Sequence, residues 1–135
     1  MELYRYCIEC KAYHIPCMFN KTHNICNRCK STKYNRSMKG IMNNIYRRQL
    51  KNSTKRGHTP PTYTKQQLID YILTHPHIEA LYNNYVDSKY NSDKIPSIDR
   101  IDSSKGYSMD NIQLCTWLDN KENNYKDMRS RHTTL

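Results

Sequence analysis

The chain carries two Cys-x2-Cys pairs, Cys7 with Cys10 and Cys26 with Cys29, separated by 15 residues. Pairs at this spacing are typical of two knuckles that bring four thiolates to one tetrahedral Zn²⁺. Such a staple suits a chain in which only 36% of the 135 residues are hydrophobic and 12 residues are tyrosines, because its core must be small and edged with hydroxyl groups. The sequence therefore predicts a structural zinc site near the N-terminus.

Disulfides or unpaired thiols are the alternative interpretation of these cysteines. No apolar run reaches the roughly 18 residues that suggest a membrane span, and the N-terminus lacks the apolar segment of a secretory signal. We therefore expect a cytoplasmic protein without a membrane partner. The cytoplasm is reducing, which favours cysteines as metal ligands or buried thiols over disulfides. His14, Cys17 and His23 lie between the pairs but are surplus to four ligands. Cys115 is expected to be a small buried hydrophobe.

The formal net charge is +10, and the positive charge is concentrated in the first half of the chain. Between Lys11 and Ile69 there are 13 Lys or Arg residues and no Asp or Glu, whereas 10 of the 12 acidic residues lie from Asp70 onward. A block so one-sided repels itself unless it meets a polyanion, which favours a nucleic acid as the partner. The acidic residues of the second half are available as metal ligands.

A basic helix is predicted from about Ser37 to Lys55, because apolar residues recur at helical spacing and basic residues occupy the opposite face. Its apolar positions are Ile41, Met42, Ile45, Tyr46 and Leu50. Gly57, followed by Pro60 and Pro61, ends the helix. We interpret the basic face as a surface for double-stranded DNA, the alternative being an ordinary solvated face. The residues assigned to DNA contact are Lys39, Arg47, Arg48, Lys51, Lys55, Arg56 and Lys105.

Two shorter helices are expected after this one. Thr64 can cap the first, with Gln67 closing a capping box, and the helix should run to about Leu73. The second is expected from about His77 to Val86, with Pro76 in a first-turn position. A polar connector then leads into the C-terminal part of the chain.

The C-terminal stretch reads as strand, loop, strand and helix. Two β-favouring runs, Ser97 to Ile101 and Ile112 to Cys115, flank a turn at Lys105-Gly106-Tyr107, and a helix-compatible segment starts at Trp117. Asp99 lies near the end of the first strand, Asn111 opens the second, and Asn120 falls early in the helix. If the hairpin packs on the helix, Asp99 and Asn120 can offer oxygen ligands to one hard cation, Mg²⁺ or Mn²⁺.

The string P-S-I-D-R-I-D, followed by K-G-Y, D-N-I-Q-L, T-W and N, resembles a phage-type subfamily of the HNH, or ββα-metal, nucleases that carries a D-R-I-D variant. The resemblance extends upstream through the cysteine-rich start, Lys55 to His58 and Tyr63 to Lys65. It implies a metal-dependent endonuclease that cuts or nicks DNA, with Asp99 and Asn120 as metal ligands and Asn111 hydrogen-bonded across the hairpin. A phage or mobile-element setting, a homing-type role and the host-cell cytoplasm are implied in the same way.

The fold class expected from these features is α+β. Residues 1–35 form a zinc ribbon or knuckle module, 36–94 a helical basic region, 95–127 the ββα-metal hairpin and helix, and 128–135 a basic tail.

One residue departs from the HNH pattern. Arg100 occupies the place where most members of the family have the histidine that activates water, and a guanidinium stays protonated near neutral pH. Arg100 is instead expected to stabilise negative charge or to grip a phosphate. The candidates for the general base are His58, His75, His77, Asp102, Tyr107 or metal-bound hydroxide.

Two functions besides a nuclease stay open from the sequence. Because Arg100 replaces the histidine that activates water, the chain could be a catalytically inactive, zinc-stabilised DNA-binding protein. The basic charge and the many tyrosines, which can stack on unpaired bases, would suit an RNA-binding zinc protein.

Overall fold

The computed structural model describes residues 3–20 and 24–123, which form five helices and two small antiparallel sheets. The expected mixed α+β class is therefore confirmed. The chain divides into two compact units, Met1–Gly40 and Ile41–Leu135. The predicted basic tail, residues 128–135, and the last residues of the predicted nuclease motif, 124–127, lie outside the described residues.

The first unit is built around a short hairpin and a helix. Strands β1 (Arg5–Tyr6) and β2 (Tyr13–His14) pair antiparallel, with Arg5 opposite His14 and Tyr6 opposite Tyr13. A 3₁₀ turn (Pro16–Met18) and helix α1 (Asn27–Arg36) follow. The buried core consists of Cys7, Phe19 and Cys26, with Ile25 and Cys29 packed against it. A core this small cannot by itself offset the entropy lost on folding, which agrees with the need for a staple.

Gly40 makes a close approach just after the end of α1. Ser37 closes that helix, because its hydroxyl donates to Tyr34 O at 2.6 Å and accepts from Gly40 N at 3.1 Å. A Cβ at position 40 would lie 1.8 Å from Tyr34 O and 3.2 Å from Asn35 Cα. Both neighbours are backbone atoms, so they cannot turn aside as a side chain could.

Gly40→Ala is therefore expected to destabilise the first unit by about 1–3 kcal/mol through overpacking. The measurement is a thermal melt of the zinc-loaded chain. Gly106→Ala is the matched control, because the nearest atom to a Cβ there is 3.9 Å away. Equal melting temperatures for the two variants would contradict the argument.

The second unit contains the remaining helices, apart from residues 38–40 of the first of them, and the second hairpin. The helices are α2 (Met38–Arg56), α3 (Lys65–Thr74), α4 (Ile78–Asp87) and α5, described over residues 117–123. Strands β3 (Pro96–Arg100) and β4 (Ile112–Thr116) form the antiparallel hairpin, with 3₁₀ turns at Ser92–Lys94 and Met109–Asn111. The buried apolar residues are Ile41, Met42, Ile45, Tyr63, Leu68, Ile72, Ile78, Tyr85, Ile98 and Ile112.

The core-facing side of α2 differs from the predicted one at its C-terminal end. Leu50 was expected to face the core but is 39% exposed, whereas Gln49 and Ser53 are buried. The buried residues of α2 recur every four positions, at Ile41, Ile45, Gln49 and Ser53, so the last two buried positions are polar. Tyr63 donates its hydroxyl to Gln49 Oε1 at 2.6 Å, which gives the oxygen of this buried amide a partner, whereas its Nε2 atom has none among the described residues.

The predicted ends of the helices are largely confirmed. Gly57 has a φ of +72° directly after α2, the left-handed conformation that suits glycine. Thr64 caps α3 because its hydroxyl oxygen accepts from Gln67 N at 3.1 Å, and Gln67 Oε1 accepts from Thr64 N at 2.8 Å, so the capping box is present. Of the helices described over 3–20 and 24–123, none combines the length and apolar character that crossing a bilayer demands.

Candidate functional site

The first candidate site is the cluster of four cysteines in the first unit. Cys7 and Cys10 lie in the turn between β1 and β2, Cys26 is the residue before α1, and Cys29 is in its first turn. The four sulfur atoms all lie within 4.8 Å of one another. Tetrahedral Zn–S bonds of about 2.3 Å place sulfurs about 3.8 Å apart, so the cluster is of a size to hold one ion. The cysteines are free thiols, and their donor set fits structural zinc.

Backbone groups hold the first knuckle in shape. Cys7 N donates to Ala12 O and Lys11 N donates to Cys7 O, both at 2.9 Å, with Lys11 in a left-handed conformation. Cys26 N points at Cys7 Sγ at 3.3 Å. Donors aimed at sulfur stabilise a thiolate, which is the form that binds a metal.

The protonation of the thiols follows from this geometry. Desolvation by burial is the largest influence on Cys7 and raises its pKa, but backbone hydrogen bonds from Cys10, Cys26 and Glu9 outweigh it and bring the pKa to about 6. Burial and the neighbouring cysteines raise the pKa of Cys29 to about 12. Burial, then Cys7, likewise raises the pKa of Cys10. A cation at the centre would stabilise the deprotonated form of these last two thiols and so lower their pKa values.

His14 lies at the edge of the cluster. Its Nε2 atom is 3.2 Å from Cys10 Sγ, and its ring centroid is 6.1 Å from that of Phe19. A ring nitrogen at this distance can hydrogen-bond to the sulfur without serving as a fifth ligand. His23 and the side chain of Cys17 lie outside the described residues. Cys115 is half-buried in β4, and burial, followed by the charges of Asp99 and Asp119, raises its pKa to about 12.

The second candidate site is the hairpin β3–β4 with the helix that follows it. The strands pair from Pro96 opposite Thr116 to Arg100 opposite Ile112. Helix α5 starts beside them, since Trp117 N donates to Ile95 O at 2.9 Å. The predicted hairpin and following helix are therefore present.

Asp99 is the carboxylate of this site and is only 7% exposed. Its Oδ1 atom accepts from Arg100 N at 2.9 Å, and its Oδ2 atom accepts from Asn123 Nδ2 at 2.9 Å. Both donors are neutral amides, and in the described part of the chain no cationic side chain forms an ion pair with Asp99. A buried carboxylate supported only by neutral donors attracts a cation.

The helix partner of Asp99 is a residue that the sequence interpretation missed. Asn120 donates to Ser97 Oγ at 3.1 Å and to Ile98 O at 3.3 Å, so it bonds to the strand just before Asp99. Asn123, one helical turn later, makes the hydrogen bond to Asp99 itself. The signal available in the sequence was the recurrence of asparagine three residues after Asn120, which returns to the same helix face.

Asn111 joins the two ends of the loop between the strands. Its Oδ1 atom accepts from Asp102 N at 2.8 Å, and its Nδ2 atom donates to Asp102 O at 3.1 Å and Gly106 O at 2.9 Å. Its backbone carbonyl also accepts from Ile101 N at 2.9 Å. This buried amide therefore fixes the loop that follows Asp99.

Asn111→Ala is expected to destabilise the second unit by about 2–4 kcal/mol, because three hydrogen bonds are lost and the loop groups are left without their partner. The free energy of unfolding is measured by urea denaturation. Gln113→Ala, at an exposed residue of β4, is the control and should change stability by less than about 0.5 kcal/mol. A loss no larger for Asn111→Ala than for this control would show that water replaces the amide without cost.

Arg100 is turned onto the same loop. Its Nη1 atom donates to Lys105 O at 3.1 Å, and its guanidinium carbon lies 5.4 Å from the centroid of the Tyr107 ring. The guanidinium carries five N–H donors, so this bond leaves it the capacity to contact a phosphate. Arg100 directly follows Asp99 in the sequence.

The candidate general bases are placed unequally. Hydrogen bonds from the Ser104 side chain, followed by the Ser104 backbone N–H, lower the pKa of Asp102, which makes it a weak base. His75 Nδ1 accepts from His77 N at 3.1 Å and is therefore occupied. His58 precedes a segment that runs beside the hairpin loop, where Thr62 N donates to Tyr107 O at 3.1 Å. Over residues 3–20 and 24–123, no histidine ring forms a hydrogen bond or an ion pair with Asp99.

The residues assigned to DNA contact are all exposed: Lys39, Arg47, Arg48, Lys51, Lys55 and Arg56 on α2, and Lys105 in the hairpin loop. Comparison of the chain with family models, with curated proteins and with solved structures gave no match.

Proposed function

We propose that the chain is a divalent-metal-dependent endonuclease that hydrolyses phosphodiester bonds of double-stranded DNA. The observation that carries this proposal is the buried Asp99 carboxylate, held by neutral amides and lacking a cationic partner in the described part of the chain, at the end of a strand packed on a helix. The resemblance of the sequence to the HNH nucleases supports the same conclusion.

The oxygen donors around Asp99 fit Mg²⁺ or Mn²⁺, which bind through one or two carboxylates and complete their shell with water and phosphate. Asp99 would hold the ion, with the amide oxygens of Asn123 or Asn120 beside it. When bound, the ion would supply charge neutralisation at the scissile phosphate and lower the pKa of water.

The protein residues around the site have separate tasks in this proposal. Asn111 keeps the loop after β3 in one shape, so that Arg100 and Asp99 stay fixed relative to the bound phosphate. Arg100 donates to a phosphate oxygen with the N–H groups not used on Lys105 O. His58 is the preferred proton acceptor among the side chains, because its segment runs along this loop.

The basic face of α2 supports DNA as the substrate. The exposed residues Arg47, Arg48, Lys51 and Lys55 have no acidic residue near them in the sequence, since none occurs between Lys11 and Ile69. Neutralising phosphates with such a face releases counterions, which makes binding strong at low salt and weak at high salt.

The test is conversion of supercoiled plasmid DNA to nicked and linear forms by the zinc-loaded chain. We expect cutting with added Mg²⁺ or Mn²⁺ and none when the divalent ion is omitted. DNA binding is measured in parallel. Binding without cutting in either metal would overturn the nuclease.

That outcome would establish the second candidate, a zinc-stabilised DNA-binding protein without catalytic activity. The observation that favours it is the position of Arg100, where a guanidinium is fixed to Lys105 O in the place of a base.

A further inference from the structure

The two faces of the hairpin β1–β2 differ in their surroundings. On one face, the Arg5 guanidinium lies 4.8 Å from the centroid of Phe19, and His14 contacts both Phe19 and Cys10. Arg5 and His14 are a paired position and therefore share that inner face. Because side chains alternate along a strand, the next pair, Tyr6 with Tyr13, points away from the buried core.

This outer face exposes aromatic rings to solvent. Tyr6 and Tyr13 are 45% and 70% exposed, and their ring centroids are 5.2 Å apart. Tyr4, two residues before Tyr6, is 59% exposed, and Ile15 lies two residues after Tyr13 and is also exposed. We call Tyr4, Tyr6 and Tyr13 the tyrosine platform. Adjoining exposed aromatic residues make this face a candidate interaction site.

The charge of the surrounding unit identifies the partner. Residues 1–40 contain eight Lys or Arg residues and two Glu residues. Glu9 is already paired with Lys33 at 3.0 Å. Even with a zinc ion and four thiolates, which together carry two negative charges, the unit stays positive. Flat rings on a unit of net positive charge are complementary to a polyanion that presents aromatic bases.

We propose that the tyrosine platform stacks on unpaired bases of a single DNA strand. Rings that stand on the face of a hairpin can reach bases only where these are not already stacked in a duplex, so the partner is single-stranded. The choice of DNA over RNA rests on the proposed function, whereas the stacking itself does not depend on it.

The first experiment uses the wild-type zinc-loaded chain and a fluorescein-labelled oligothymidylate of about 12 nucleotides, a length within the range of single-strand sites. Fluorescence anisotropy is read without added Mg²⁺, so that no strand is cut. Replacing the bases by abasic residues keeps every phosphate but removes the stacking surfaces. Affinity should fall at least about tenfold. Equal affinity for the two strands would overturn the proposal without any variant of the protein.

The second experiment tests the rings. Tyr6→Ala combined with Tyr13→Ala should weaken oligothymidylate binding by about tenfold or more, with the slope of affinity against salt unchanged, because no phosphate contact is lost. The control combines Tyr6→Phe with Tyr13→Phe, keeps both rings and should bind within about twofold of wild type. Zinc content and melting temperature check that each variant folds.

Three further results would overturn the proposal. The alanine variant could bind as wild type does. An oligouridylate of equal length could bind more tightly than oligothymidylate, which would assign the platform to RNA. Sedimentation could show a wild-type dimer that the alanine variant loses while oligonucleotide affinity is unchanged, which would assign the platform to a second copy of the chain. None of these results depends on plasmid cleavage. The proposal of base stacking by the tyrosine platform and the proposal of nuclease activity can therefore be refuted independently.

Discussion

Replacement of Asp99 by asparagine is expected to lower metal-dependent DNA cleavage by about 10³-fold or more, equivalent to about 4 kcal/mol of the barrier. The substitution keeps the shape of the side chain but removes the charge that would anchor the cation. Cleavage of supercoiled plasmid is measured at saturating Mg²⁺ and again with Mn²⁺. Asp110→Asn, an exposed carboxylate near the same hairpin, is the matched control and should cut as wild type does.

The stability of Asp99→Asn separates a functional role from a structural one. Asparagine removes the buried charge and keeps one acceptor oxygen for Arg100 N, and the Asn123 amide can turn its oxygen toward the new NH₂ group, so the melting temperature should change little. Asn123→Ala should reduce cleavage more than Asn120→Ala, since Asn123 is the residue bonded to Asp99 Oδ2. Asp99→Asn with full activity would remove the carboxylate from the mechanism, and a large loss of stability would assign it to the fold.

Removal of zinc is expected to unfold the first unit. Structural zinc contributes on the order of 10 kcal/mol in small metal-dependent domains, while the buried core here consists of Cys7, Phe19 and Cys26. A strong chelator, or Cys26→Ser, should abolish the helical circular dichroism of α1. Cys115→Ser is the control. Because Cys115 lies outside the four-sulfur cluster, this variant should retain zinc. A chelated chain with unchanged dichroism and melting would refute a structural role for the metal.

The same site should lose its metal on acidification. Cys10 and Cys29 have raised pKa values and must release protons when a cation binds, so protons compete with zinc and affinity falls as the pH falls. Zinc release, followed with a chromophoric chelator as the pH is lowered from 8, should coincide with the loss of α1 dichroism.

The elements that follow local rules were predictable from the sequence. Thr64 and Gln67 form a capping box through groups three residues apart, and Gly57 ends α2 because its φ is positive. The hairpin was also predicted, with β3 observed as Pro96–Arg100 and β4 as Ile112–Thr116. In each case the decisive contacts are close in sequence or follow a simple alternation.

The elements that depend on distant contacts were less predictable. Helix α1 has no buried residue, so no apolar period indicates it. Gln49 is buried where Leu50 was expected to be, because Tyr63, 14 residues away, supplies a hydrogen-bond partner for Gln49. The choice between Asn120 and Asn123 depends on how α5 lies on β3, which spacing along the chain does not determine.

The polar character of α1 would make the proposed nucleic-acid binding of the first unit depend on metal supply. With no apolar face of its own, this helix is anchored by the cysteines at its start, and it carries Arg28, Lys30, Lys33 and Arg36. Without zinc the helix is expected to unfold, and these four charged residues would no longer be held together on one element. The proposed binding of nucleic acid by the first unit would then require bound zinc, whereas the basic face of α2 lies almost entirely in the second unit and would not depend on it.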